Sequence, residues 1–205
     1  MGQHLLLADL SAPLLLVGLR TPVLQSYLPP RVLVRLARRK GLRRFLRRFR
    51  QPLVAIAIYV LVLYGWHFAP AFEAALRNDL LHALQHESFL VASVLVWWPA
   101  LEPDRARMGG QLWKIGHILG ARLAGMFLGM AFILMSSPAY EGFYGDAARE
   151  HGLRPLVDQQ IAGGMMLGLD VLTMLFALAF FFWRAAQEQD RRDAEERERA
   201  AAAAG

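Results

Sequence analysis

Three histidines at the borders of two neighbouring apolar segments could bind a metal ion. His82 and His86 are four residues apart, so on a helix both imidazoles project from one face, about 6 Å apart. His67 ends the preceding apolar segment, across a short connection. Imidazole nitrogens are suitable ligands for both Cu(I) and Cu(II). The spacing alone is weakly specific, because pairs of histidines at this distance recur by chance.

The composition indicates that these histidines belong to a membrane protein. Of the 205 residues, 56% are apolar, and they are grouped into long blocks, as expected of transmembrane helices. The bilayer supplies the burial that a soluble core would otherwise provide, so a single bundle needs no second domain. The sequence contains no cysteine, which excludes disulfides, thiolate metal sites and CxxC redox chemistry. A metal site would have to use His, Met, Asp or Glu.

The apolar blocks predict an all-α polytopic transmembrane bundle with four full spans and one N-terminal span. The full spans are residues 53–68, 80–98, 115–135 and 155–183. The N-terminal block is shorter than the ~20 residues needed to cross ~30 Å of hydrocarbon, so this span is incomplete unless it extends through Leu28. Residues 1–183 are predicted to form the bundle. A charged cytoplasmic tail follows at residues 184–205, as a solvated helix or a disordered segment.

A basic segment, residues 29–52, is predicted to set the orientation of the bundle. In its second half, four apolar residues recur at helical spacing against arginines: Leu42, Phe45, Leu46 and Phe49. This pattern is typical of an amphipathic helix on an anionic lipid surface, but it also fits a plain topology signal; nucleic acid is not an expected partner. Under either interpretation the segment stays in the cytoplasm, because short basic loops are retained there. The three histidines then lie on the periplasmic side.

With this orientation, polar residues from four apolar blocks fall at one depth near the periplasmic interface. They are His4, His67, His82, His86, Asp158, Gln159 and Gln160. In a helix, Asp158, Ala162 and Met165 also share a face, because they are four and then three residues apart. Ionisable groups within spans are costly and are usually functional. The sequence therefore predicts a polar pocket shared by four helices.

The donor atoms of this pocket suit copper. The predicted metal site comprises His82, His86, His67, His4, Met165 and Asp158. The pair on one helix supplies two imidazoles, and either of the other histidines would supply a third. A thioether, from Met165 or Met166, favours Cu(I), while the carboxylate would orient a ligating imidazole or accept its second N–H.

Each of these residues also has a plain structural interpretation. A histidine at an interface is often a hydrogen-bonded side chain, methionines among glycines are often gap fillers, and Asp158 would stabilise a helix N-terminus by ~0.3–1 kcal/mol. Deeper in the last span, Asp170 has its most economical partner in Arg122 on the preceding antiparallel helix, as a structural ion pair. His117 and His151 are interpreted as interface and loop residues outside the site.

The third full span is predicted to pack closely against a neighbour. Small residues recur along it at Gly116, Gly120, Ala124, Gly125 and Gly129. Small-xxx-small patterns of this kind let two helix backbones approach one another.

Four sequence blocks carry a resemblance to a known family. In order they are HLLLADLSAPLLLVG, WHFAPAFEAAL, HALQHESFLVASVLVWWP and PLVDQQIAGGMM, which extend from about His4 to Met166. They resemble the signature blocks of the CtaG-like cytochrome c oxidase assembly factors. The resemblance implies a multi-span protein of the bacterial inner membrane with oxidase subunits as partners. It also implies that copper is supplied to a haem-copper oxidase on the periplasmic side. Five residues of the predicted site fall within the blocks: His4, His67, His82, His86 and Asp158.

The sequence departs from the family pattern in two places. The family's first block usually opens with a further histidine just before the position of Met1, and additional spans precede it. We therefore expect a shortened form, a misassigned start or a site that works without that ligand. Asp170 stands where apolar residues or a proline would be expected, so the resemblance implies no role for it.

Two other functions remain open from the sequence. A haem-binding cytochrome would use axial histidines on facing helices, although two histidines on one turn cannot both be axial ligands of one haem. A scaffold would bind oxidase subunits or lipids through small-residue faces without a metal. An enzyme is not expected, because the sequence has no nucleophile–base pair, phosphate loop or CxxC motif. The sequence also leaves open whether a homo-oligomer completes the site.

Overall fold

The structure is a computed structural model that describes residues 6–18, 39–49, 51–101, 112–140, 152 and 154–204. All regular secondary structure in these ranges is helical, so the predicted all-α class is confirmed. The described helices fit a multi-pass membrane protein.

The described part of the N-terminal block consists of two short helical pieces. A π-helical segment, Leu6–Ser11, continues into helix α1, Ala12–Gly18. The Ser11 hydroxyl donates to the Leu6 carbonyl at 3.0 Å, and Ala12 is fully buried. Both pieces pack against the helix that carries His82 and His86. Residues 19–28, over which the N-terminal span was predicted to extend, and residues 29–38 of the basic segment lie outside the described ranges.

The first predicted full span, residues 53–68, forms a helix with nearly the predicted bounds, but the connection after it is helical as well. Helix α2, Lys40–Phe49, forms in the basic segment, and α3, Pro52–His67, follows with proline in its first turn, where the missing N–H costs nothing. At 16 residues, α3 is about 24 Å long, shorter than the ~30 Å hydrocarbon core. Phe68 then adopts an extended conformation and α4, Ala69–Arg77, turns away by 71°. Helix α3 alone is too short to cross the membrane, so α3 and α4 form one candidate crossing only when they are taken together as a bent pair.

Three further helices are each long and apolar enough to cross a membrane. They are α5, Asp79–Leu101, α6, Leu112–Leu134, and α7, Pro155–Ala204. The 23 residues of α5 and of α6 correspond to about 35 Å each. The 50 residues of α7 continue through the charged tail without a break. The tail was predicted to be either a solvated helix or a disordered segment, and it is a helix. Together with the bent pair, up to four crossings are present.

Helices α6 and α7 form the closest pair in the bundle. A Cβ atom added to Gly163 would lie 2.7 Å from the carbonyl oxygen of Gly129, and one added to Gly129 would lie 2.9 Å from that of Gly163. A Cβ added to Gly125 would overlap the Asp170 carboxylate. The close packing predicted for this span is therefore confirmed at Gly125 and Gly129, and only glycine allows this approach.

The predicted ion pair between the two deep charges is also present. Nη1 of Arg122 donates to Oδ1 of Asp170 at 2.9 Å, and both residues are buried. The guanidinium also lies over the Tyr59 ring of α3, 5.2 Å from its centroid. In a second contact between α3 and α6, the Tyr64 hydroxyl donates a hydrogen bond to the Ala124 carbonyl at 3.0 Å. These contacts fix α3 and α7 on either side of α6.

Candidate functional site

The His82 and His86 side chains meet on the first two turns of α5. Their Nε2 atoms are 3.0 Å apart, and the rings lie edge to face with centroids separated by 4.6 Å. One imidazole donates its N–H and the other accepts it, so the two rings share one proton. The first turn of α5 is fixed by Asn78, whose Oδ1 accepts the backbone N–H groups of Leu80 and Leu81 at 2.9 and 3.2 Å. This N-cap fixes the first turn of α5, from which the His82 side chain projects.

A hydrogen-bond relay secures α5 to α3 beside this pair. The indole N–H of Trp66 donates to the Ser88 hydroxyl at 2.7 Å, and that hydroxyl donates to the Gln85 carbonyl at 2.8 Å. Gln85 itself is buried, whereas both histidines are half-buried. The histidine pair therefore stands on a fixed helix face with part of each ring accessible.

His67 lies in an aromatic cluster at the end of α3. Its Nδ1–H donates to the Leu63 carbonyl at 2.7 Å, which leaves Nε2 as the nitrogen with the lone pair. The rings of Phe72, Phe89 and Phe132 have centroids 5.8 to 6.4 Å from the imidazole. The bond to the carbonyl is the one expected of a structural histidine, and it is also the kind that orients metal-ligating imidazoles.

Asp158 and Met165 line one cavity, as expected from their shared helix face. The cavity has a volume of about 270 Å³ and lies between α4, α6, the segment after α6 and the start of α7. Its walls are formed by Phe72, Phe132, Pro138, Tyr140, Pro155, Asp158, Gln159, Ile161, Ala162 and Met165. The two residues are seven apart on α7, which corresponds to about 10.5 Å along the axis. The two side chains therefore line the cavity at different depths.

Two glutamines predicted at the same depth act as structural ties. Oε1 of Gln159 accepts the backbone N–H of Ala139 at 2.6 Å, and its Nε2 donates to the Phe132 carbonyl at 3.4 Å. Nε2 of Gln160 donates to the Ile133 carbonyl at 3.1 Å. Both side chains fasten the start of α7 to the end of α6, which fixes one side of the cavity.

The described residues of the predicted site therefore fall into two groups joined by His67. One group is the pair His82 and His86, and the other is the cavity with Asp158 and Met165. His67 contacts cavity residues Phe72 and Phe132 on one side and Phe89, three residues after His86, on the other. No three histidines or acidic residues come together as a metal-holding group within the described ranges. Met166 is buried in the core, and His4 lies outside the described residues.

Tyr140 also belongs to this region, although the sequence analysis did not single it out. Its hydroxyl donates to the His67 carbonyl at 2.7 Å, and its ring lies 4.3 Å from that of Phe72, centroid to centroid. Burial raises the pKa of the Tyr140 hydroxyl, so the phenol remains a donor. Nothing in the local sequence marks this role, because the partner is a backbone carbonyl 73 positions away.

The remaining histidines stay outside the site. His117 is buried near the opposite end of the bundle, where Nε2 donates to the Val96 carbonyl at 2.8 Å. It is thus a core residue rather than an interfacial one. His151 is not among the described residues.

Comparisons with known proteins identify the family. The profile of the cytochrome c oxidase caa3 assembly factors matches residues 1–188. Uncharacterized proteins of Mycobacterium bovis and Mycobacterium tuberculosis are each 26% identical to the chain over 152 residues, which is 72% of this chain and 22% of each relative. The chain thus spans about a fifth of the length of these relatives. No solved structure matches the chain. Because the matched profile covers nearly the whole sequence, the chain belongs to the cytochrome c oxidase caa3 assembly factor family.

Proposed function

We propose that this chain helps to assemble a haem-copper cytochrome c oxidase by binding copper, as Cu(I), at His82 and His86 and passing it to an oxidase subunit. Membership of the assembly factor family supports the oxidase as the destination. The observation that carries the copper proposal is the 3.0 Å separation of the two Nε2 atoms.

The separation of these atoms is close to what one metal ion requires. Bonds from nitrogen to a first-row metal are about 2.0 Å long, so two ligands at a tetrahedral angle are about 3.3 Å apart. The two Nε2 atoms need to move by only a few tenths of an ångström when a metal replaces the shared proton. Because both rings stand on successive turns of one capped helix, the pair is largely preorganised.

The remaining ligands are proposed from the sequence pattern. Two imidazoles leave room for a third donor, and His67 and His4 are the histidines nearest in predicted depth. A site built from neutral nitrogen atoms, without thiolates, holds Cu(I) less firmly than a cysteine site does, which suits a protein that must release the ion.

The proposed orientation follows from the arginine-rich segment. Helix α2 carries Arg43, Arg44, Arg47 and Arg48, and short basic segments are retained in the cytoplasm of bacteria. The His67 end of the bundle, where α3 ends and α5 and α7 begin, would then face the periplasm. Helix α2 would lie on anionic lipid at the other surface.

Anaerobic Cu(I) titration against a chromophoric chelator tests the copper proposal. We expect the purified wild type to bind Cu(I) and the double variant His82→Ala/His86→Ala to lose that binding. The matched control is His151→Ala, which removes one histidine outside the predicted site and should bind as the wild type does. A wild type without Cu(I) affinity, or a double variant that binds equally well, would refute the proposal.

A further inference from the structure

The cavity at the start of α7 has one charged wall residue and otherwise apolar or neutral walls. Its volume of about 270 Å³ equals that of about nine water molecules, which is large enough for a small polar headgroup. Asp158 is the only charged residue among the described residues that line it. The cavity thus combines one carboxylate with the rings of Phe72, Phe132 and Tyr140, a combination that attracts organic cations.

The Asp158 carboxylate has no hydrogen-bond or ion-pair partner among the described residues, and neither has the exposed guanidinium of Arg154. The two residues are four positions apart, like the ion pairs Glu73–Arg77 and Glu188–Arg192 elsewhere on the bundle. Arg154 precedes the helix, and its carbonyl accepts the backbone N–H of Asp158 at 3.1 Å. One cation and one anion therefore lie about one helical turn apart along the chain and form no ion pair with each other.

The apolar side of the cavity continues onto the membrane-facing surface of α7. Ile161 and Met165 line the cavity and are also 49% and 50% exposed. Further along the same helix, Leu172 and Phe176 are exposed as well. An acyl chain that lies along this surface would lead directly to the cavity mouth.

The walls are held in position by hydrogen bonds rather than by a ligand. Gln159 is tied to the backbone of Ala139 and Phe132, and the Tyr140 hydroxyl is tied to the His67 carbonyl. A preformed cavity requires little ordering when it is filled, which favours binding.

We propose that this cavity binds the headgroup of an ethanolamine phospholipid. The ammonium group donates hydrogen bonds to the Asp158 carboxylate, the phosphate lies at Arg154, and an acyl chain runs along Ile161 and Met165. The arrangement of one anion and one cation four residues apart matches a zwitterionic headgroup, and the exposed apolar strip matches its chain.

Other occupants fit the cavity less well. A choline group cannot donate a hydrogen bond to the carboxylate, and a glycerol headgroup has no positive charge to meet it. A metal ion would find a single carboxylate, because the described residues that line the cavity include no other acidic residue and no histidine. A lysine side chain from a partner protein would satisfy Asp158 but would leave Arg154 without an anion.

Native mass spectrometry of the delipidated full chain in detergent tests this proposal. The probes are phosphatidylethanolamine, phosphatidylcholine and phosphatidylglycerol with identical acyl chains. We expect the ethanolamine lipid to bind about tenfold more tightly than the other two. Asp158→Asn should abolish this preference, whereas Glu73→Gln, which removes an acidic charge from α4 outside the cavity, should retain it.

A second variant separates the cavity from the charge. Ala162→Leu fills the cavity and leaves Asp158 and Arg154 intact, so it should weaken binding of the ethanolamine lipid while helix content by circular dichroism stays at the wild-type level. Equal binding of all three lipids, or a preference that survives in Asp158→Asn, would overturn the proposal. So would loss of a co-purifying oxidase subunit in Asp158→Asn with unchanged lipid binding, because the carboxylate would then serve a protein partner. Cu(I) binding at the histidine pair is independent of these outcomes.

Discussion

Two polar pairs lie within the apolar helices of this protein, and they differ in how they are satisfied. Arg122 and Asp170 come from two helices, carry opposite charges and are buried in contact with each other. His82 and His86 come from one helix, are chemically alike and are half-buried. The first pair joins opposite charges and ties α6 to α7. In the second, two neutral rings share a proton, and a metal ion could replace that proton. A polar group in a membrane helix is therefore interpreted from its partner rather than from its mere presence.

The largest expected effect tests the structural assignment of the buried ion pair. Asp170→Ala leaves a buried guanidinium without its carboxylate, which should lower the free energy of unfolding by about 3–5 kcal/mol. Unfolding in mixed detergent and SDS micelles measures this change. The double variant Arg122→Met/Asp170→Ala removes both charges and should recover part of the loss. If Asp170→Ala were as stable as the wild type but unable to bind Cu(I), the structural role given to Arg122 and Asp170 would be wrong, and this pair would serve copper binding instead.

The next effect tests whether close packing holds the first pair together. Gly163→Ala brings a methyl group against the Gly129 carbonyl, and such overpacking should cost about 1–3 kcal/mol of unfolding free energy. The adjacent variant Gly164→Ala is the matched control, because nothing lies within 4 Å of a Cβ at that position. The same denaturation assay compares the two. Equal stability of both variants would show that the backbones do not approach as closely as described.

A smaller effect is expected at Tyr140, which connects the segment after α6 to His67. Tyr140→Phe removes one hydrogen bond and should cost about 0.5–1.5 kcal/mol, with Cu(I) binding unchanged. Burial raises the pKa of the Tyr140 hydroxyl, so its contribution is present below the unfolded value of about 10 and is lost only as the pH rises through the higher folded value. The difference in stability between wild type and Tyr140→Phe should therefore stay constant from neutral pH to mildly alkaline pH.

The smallest effect on stability is expected at the histidine pair itself. The double variant His82→Ala/His86→Ala removes the hydrogen bond between two half-buried rings, so its unfolding free energy should fall by about 1 kcal/mol, well below the loss in Asp170→Ala. Its Cu(I) binding, in contrast, should be lost. A destabilisation as large as that of Asp170→Ala would mean that the histidines are packing residues, and the contrast between the two pairs would disappear.

The parts of this fold that follow from local sequence were predicted correctly. Apolar length and helical periodicity predicted the long helices, and the glycine spacing predicted the contact at Gly125 and Gly129. The ion pair between Arg122 and Asp170 was predictable because two deep opposite charges on adjacent helices have few other ways to be satisfied. These inferences need only helix geometry and depth in the bilayer.

The parts that depend on lateral position were not predictable in the same way. Depth alone placed Asp158, Met165 and the histidines in one layer, but it does not say which helix faces are neighbours. The structure brings Asp158 and Met165 into a cavity and leaves His82 and His86 as a pair. The helical structure of residues 69–77 was also missed, because this short segment contains a proline and charged residues and its packing against α5 depends on lateral position. The copper ligands remain a prediction.

Helix α7 has a mechanical consequence for the whole molecule. It is unbroken from Pro155 to Ala204, a length of about 75 Å. If the helix tilted by about 5° around its first turn, where Asp158 and Gln159 lie, the far end would be displaced by roughly 6 Å. A small tilt beside the cavity would thus become a sideways displacement of the charged tail.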